Sequence, residues 1–127
     1  MLKKQLTYTN YNDVEVTETF YFNLTETELL EMEATTKGGL GAKIQQVIDA
    51  KDMPSIMSIF KELILKAYGE KSDDGKYFRK SKEISEAFAQ TEAYSILFME
   101  LATDEKAATE FINGIIPKKN NIPQTLK

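Results

Sequence analysis

Polar and apolar residues alternate along the first part of the chain and then give way to three-four spacing. From Lys3 to Thr9, and again from Val14 to Phe22, the residues are rich in Thr, Val, Tyr and Phe. Val14, Val16, Phe20 and Phe22 share one parity, the period of a half-buried strand. Asn10-Tyr11-Asn12-Asp13 lies between the two runs and is a turn-forming cluster suited to an antiparallel hairpin. A lone hairpin is marginally stable, so this one must pack on helices or extend another subunit's sheet.

The pattern changes at Leu24-Thr25-Glu26-Thr27-Glu28-Leu29. Thr25 is placed to cap the Glu28 amide while Glu28 reaches back, and Leu24 can pack on Leu29, which predicts a helix from about Glu26. Lys37-Gly38-Gly39-Leu40-Gly41 ends it, because glycine is costly in a helix and favours turns. Ala42 to Ala50 predicts a second helix through Ile44, Val47 and Ile48. A third starts at Pro54, a residue tolerated in a first helical turn, presents Ile56, Ile59, Phe60, Leu63, Ile64 and Ala67, and stops by Gly69.

Glu70 to Lys80 is the least periodic internal stretch, and Ser72-Asp73-Asp74-Gly75 reads as a surface turn or short loop. After Ser81, the positions Ile84, Phe88, Thr91, Ser95 or Tyr94, Phe98 and Leu101 predict one long fourth helix, divided at Thr103-Asp104 from a fifth carrying Ala107, Ala108, Phe111, Ile112, Ile115 and Ile116. Pro117 closes the fold. The expectation is a mainly α chain with an N-terminal β-hairpin, an α+β class with about five helices. One domain is expected over residues 1–117, with the hairpin at 3–22 and the helical part at 25–117. Residues 118–127 have the composition of a loose C-terminal tail.

Composition narrows the chemistry. A chain of 127 residues with 42% hydrophobic and 28% charged residues can bury a core without crosslinks. It has no cysteine, so neither disulfides nor thiolate metal sites are available, which fits a reducing compartment. Met1-Leu2-Lys3-Lys4 leads into the first strand without the apolar core of a signal peptide, and no run approaches the roughly 20 apolar residues of a membrane span. The net charge is -4 with scattered basic residues, which argues against nucleic acid as a direct partner.

There is no histidine, so the usual proton-transfer group and the Ser-His and Cys-His nucleophile arrangements are missing. Glu26, Glu28, Glu31 and Glu33 form the densest carboxylate cluster, but acids gather at a helix N-terminus because the dipole and capping favour them. Asp73-Asp74-Gly75 lacks the alternating oxygen ligands of a calcium loop, and its twelfth position is Ile84. Gly38-Gly39-Leu40-Gly41-Ala42-Lys43 could offer amides to a phosphate, yet it matches neither the Walker nor the dinucleotide pattern. Lys76-Tyr77-Phe78-Arg79-Lys80-Ser81-Lys82 interleaves basic and aromatic residues as single-strand binders do, over a short stretch of an acidic chain. No catalytic residue, metal site or cofactor is expected.

Three stretches carry a family resemblance: Phe78-Arg79-Lys80-Ser81-Lys82-Glu83-Ile84, Glu86-Ala87-Phe88-Ala89-Gln90-Thr91-Glu92-Ala93-Tyr94, and Glu110-Phe111-Ile112-Asn113-Gly114-Ile115-Ile116-Pro117. With them the chain resembles the tail assembly chaperones of siphophages and prophages from Gram-positive bacteria, over most of its length and most strongly from Phe78 to Pro117. The resemblance implies a non-catalytic protein of the bacterial host cytoplasm, absent from the mature virion. It implies binding to the helical tape measure protein, recruitment of tail tube subunits, and self-association into a homo-oligomer. It also implies a longer form made by ribosomal frameshifting, which contacts the tube protein, and Lys118-Lys119 is where adjacent lysine codons could slip. Packing of an amphipathic helix into a groove would place the client on the last two helices, through Phe88, Tyr94, Phe98, Phe111, Ile112 and Ile115. Edge-strand pairing by the hairpin is a second surface for association. Two other readings fit the composition: an acidic, helical phage regulator that docks on a host protein, and a carboxylate-based enzyme, which needs Asp and Glu side chains to converge.

Overall fold

A computed structural model describes residues 1–117. The order is β1 (Leu2–Thr9), β2 (Glu15–Phe22), α1 (Glu26–Thr35), α2 (Leu40–Ala50), α3 (Met53–Ala67), β3 (Tyr68–Lys71), β4 (Phe78–Arg79), α4 (Lys82–Ala89), α5 (Glu92–Thr103) and α6 (Glu105–Ile115). The chain is therefore α+β, with the hairpin first and helices predominating, as expected. The tail and its Lys118-Lys119 lie outside the described residues.

β1 and β2 pair antiparallel from Leu2 opposite Phe22 to Thr9 opposite Glu15. The Asn10 side chain closes the turn by accepting from the amides of Asn12 and Val14 at 2.9 and 3.1 Å. Alternation sends Phe20 and Phe22 into the core and leaves Thr7, Thr17 and Thr19 in solvent. Glu18 shares the inward parity, and its carboxylate accepts a hydrogen bond from the Tyr8 hydroxyl. That bond, with lesser help from burial, pushes the Tyr8 phenol up to about 12.

The sheet is larger than the hairpin. β3 pairs with β2 through Tyr21 with Gly69 and Phe22 with Tyr68, and β4 pairs with β3, giving the order β1-β2-β3-β4. The least periodic stretch, Glu70 to Lys80, thus belongs to a second hairpin, and the expected turn or loop at Ser72 to Gly75 is its turn. Strands of four and two residues are too short to display period two. Gly69, expected only as a helix stop, is also a strand residue that must lack a side chain, since a Cβ there would lie 2.7 Å from the Phe78 ring and 2.9 Å from the Arg79 carbonyl oxygen.

The expected long fourth helix is two helices. Thr91 has extended backbone, its hydroxyl oxygen accepts from the Tyr94 amide, and its hydroxyl donates to the Phe88 carbonyl, so it ends α4 and starts α5. Thr91 fits the apolar spacing as a small residue, but its hydroxyl makes it a better cap than an interior residue. Asp104 caps α6 through the Lys106 and Ala107 amides, where the sequence placed the break. The capping box at Thr25 and Glu28 forms in full.

Helices pack on one face of the sheet around a cluster that includes Phe22, Leu24, Ile64, Leu97 and Ile115, all essentially inaccessible to solvent. Each such side chain contributes about 1.5–3 kcal/mol by leaving water. The Leu24 amide donates to the Ile115 carbonyl at 2.9 Å, and the Asn23 amide to the Ala67 carbonyl at 2.8 Å. These two bonds set the start of α1 against the ends of α6 and α3.

Candidate functional site

Backbone and side-chain contacts hold α1 at both ends, through the Leu24 amide before its start and Glu33 near its end, and a groove lies beside it. The Glu33 carboxylate accepts from the amides of Leu40 and Gly41 at the start of α2. It is an anion on the amides of a helix N-terminus, so the glycine-rich turn binds a carboxylate of its own chain where a phosphate was considered. Gly38 and Gly39 make the turn with φ of 80° and 93°, which favour glycine.

The groove encloses about 760 Å³. Leu24, Leu63 and Ile115 form its buried floor; Leu29 and Leu30 from α1, Leu40 and Ile44 from α2, and Ile112 and Ile116 from the end of α6 form its walls. Leu30 stands on the rim, 69% exposed. Glu26 and Glu33 are the charged residues of the lining, which contains no basic side chain among the described residues. The trough is apolar, with an exposed leucine at its lip. It is suited to covering an apolar side-chain row of another molecule.

One ion pair fixes the wall. The Lys80 ammonium donates to both Glu28 oxygens at 2.8 Å and to the Asn23 carbonyl at 2.6 Å. Burial opposes ionisation of Glu28, but the hydrogen bonds from Lys80 and from the Thr25 amide outweigh it and hold the carboxyl below the ordinary range. A lowered folded-state pKa gives stability that is present above the unfolded value, about 4.3, and is lost as pH falls through the folded value. Lys80→Ala is expected to cost about 1.5–3 kcal/mol at neutral pH. In urea melts between pH 3 and 7 the variant should also lose part of the wild-type acid sensitivity.

A family model for phage tail assembly chaperones matches residues 1–122. The chain belongs to this family. No curated protein and no solved structure was found to match it. Among the described residues of this chaperone, no helix is long and apolar enough to cross a membrane, and no three acidic side chains gather as a metal site would require.

The six contact candidates of the chaperone fall in three places. Phe88, Phe111 and Ile115 are buried: Phe88 stacks on Tyr68 with ring centroids 4.0 Å apart, and Phe111 meets Phe22 edge-on at 5.3 Å. Tyr94 and Phe98 form a half-buried T-shaped pair on α5, with the Tyr94 edge against Phe88. Burial raises the Tyr94 phenol, whose oxygen has no protein partner among the described residues. Only Ile112 and Ile115 reach the groove, Ile115 as floor. Among the groove's apolar residues, Leu29, Leu30, Leu40, Ile44 and Ile116 on the walls and Leu24 and Leu63 on the floor were not singled out as contacts by spacing. The available signal was the Leu29-Leu30 pair, since one helix face can bury only one of two adjacent leucines well.

The other considered motifs have local roles. Asp74 accepts from the Lys76 amide and the Ser72 hydroxyl, and those bonds lower its pKa, so it is the clasp of the second hairpin's turn. In the basic-aromatic stretch Lys80 is committed to Glu28, while Lys76 and Arg79 lie 5.6 and 5.9 Å from the exposed Tyr77 ring.

Proposed function

We propose that this chaperone binds an amphipathic helix of the tape measure protein in the groove between α1, α2 and α6, keeps that client soluble, and releases it as tail tube subunits assemble around it. The observation that carries the reading is the groove itself: an apolar trough whose rim leucine is 69% exposed, in a member of an assembly chaperone family. A helix laid there can present anchors at i, i+3, i+4 and i+7 to Leu29, Ile44 and Ile112, the recurring way in which a helical segment is covered. The two lining carboxylates favour a client helix whose apolar stripe is flanked by Lys or Arg.

The work is done by binding and release, without a catalytic residue, in the host cytoplasm and before the virion is complete. Residues 1–117 act as the binding unit. A frameshifted longer form starting near Lys118-Lys119 would add the contact to the tube protein. Co-expression of the full chain with the tape measure protein of the same genome tests the reading. A soluble complex should purify through a tag on the chaperone, and the tape measure protein alone should aggregate. A tape measure protein equally soluble alone, with no complex, contradicts it.

A further inference from the structure

The chain leaves α6 at the wall of the groove. Ile112, Ile115 and Ile116 all line it, and Ile116 has extended backbone, with φ −76° and ψ 141°, so the helix stops there and Pro117 follows. Residues 118–127 lie outside the described residues, but their sequence is unlike the rest of the chain. They hold three of its 16 basic residues and none of its 20 acidic ones. Ile122 and Leu126 are their large apolar side chains, four positions apart, so they fall on one side of an extended segment.

The groove complements that segment. Its side chains are apolar apart from Glu26 and Glu33, and neither carboxylate forms an ion pair among the described residues. Ile122 follows Pro117 by five positions, a reach of about 17 Å in extended chain, enough to cross a trough of about 760 Å³. Pro123 disfavours helical backbone at Ile122, which suits an extended entry. An apolar trough with Leu30 exposed at its rim is also a site for unwanted association, and a segment of the same chain that covers it removes that hazard.

We propose that residues 118–127 dock in the groove of their own chain, with Ile122 and Leu126 on its apolar lining and the lysines beside Glu26 and Glu33, and that the client displaces them. Docking is a property of the chain alone, whereas the displacement rests on the groove being the client site. Two anchors on a short tether hold the groove through a high local concentration and not through strong contacts. A client helix with anchors at i, i+3, i+4 and i+7 buries more apolar surface and wins. A tail that fills the groove about nine-tenths of the time weakens client binding about tenfold, since only the open fraction binds. Segments with one or two apolar anchors are thereby excluded, and a full amphipathic helix is admitted.

The chain contains no cysteine, so Thr125→Cys places a single nitroxide label on the full chain. Without client, the label should broaden the amide signals of Leu29, Leu30 and Leu40 to Ile44. Ile122→Asp with Leu126→Asp in the labelled chain should restore them, because both anchors are lost and the new carboxylates meet Glu26 and Glu33. Mixing the labelled chain with an isotope-enriched chain that carries no nitroxide should leave the enriched chain's signals sharp. Sharp α1 and α2 signals in the labelled chain, broadening indifferent to the double variant, or broadening in the mixture, which would put the segment in a second copy, each overturns the docking. In calorimetry with a soluble tape measure segment, the unlabelled double variant should bind about tenfold more tightly than the wild type. Equal affinity overturns the displacement. A chain that binds no such segment while its α1 and α2 signals broaden removes the client reading and upholds the docking.

Discussion

Phe88→Ala is expected to destabilise the fold by about 3–5 kcal/mol, the range for removing a large aromatic side chain from a packed core. Phe88 stacks on Tyr68, lies 5.4 Å from Phe20 and 5.8 Å from Phe22, and meets Tyr94 edge-on. It therefore joins β2, β3, α4 and α5, and no neighbour can move into its place without breaking another of these contacts. Urea denaturation should show the midpoint falling at a nearly constant slope. Below its own transition the variant should still bind client. Loss of client binding with full stability would instead make Phe88 a contact residue.

Leu30→Asp should have the opposite signature. Its side chain is 69% exposed in the middle of α1, so stability should change by no more than about 0.5 kcal/mol. A rim leucine that becomes buried under a client helix behaves as a binding anchor, and placing a carboxylate there should cost about 2 kcal/mol or more, roughly thirtyfold in affinity. Titration calorimetry with a soluble tape measure segment would measure it. The existing acids, Glu26 and Glu33, add like-charge repulsion against any acidic substitution in this trough.

These two residues also mark what the sequence could and could not disclose. Apolar spacing found the core, because a side chain that packs inward must recur with the period of its element; Phe88, Phe111 and Ile115 were legible for that reason. Spacing alone does not say whether an inward residue meets its own chain or a partner, and all three belong to the chain's own core. Leu30 lies off the buried stripe of α1, and beyond its pairing with Leu29 an exposed leucine there is unremarkable until α2 and α6 are seen to flank it. The capping box at Thr25 and the Asp104 cap were readable because their signals are local. Thr91 was not, since a threonine fits both a small interior position and a cap. The second hairpin escaped because the β3 and β4 pairings depend on residues far apart in the chain, Phe22 with Tyr68 above all. The groove arises in the same way, from α1, α2 and α6 meeting across most of the sequence.

Backbone amide exchange of the full chain, with and without a soluble tape measure segment, tests the central claim most directly. Exchange should slow in α1, in α2 from Leu40 to Ile44, and at Ile112 to Ile116, with little change in the hairpin. Slowed exchange confined to α4 and α5 around Tyr94 and Phe98, with α1 and α2 unaffected, would contradict it.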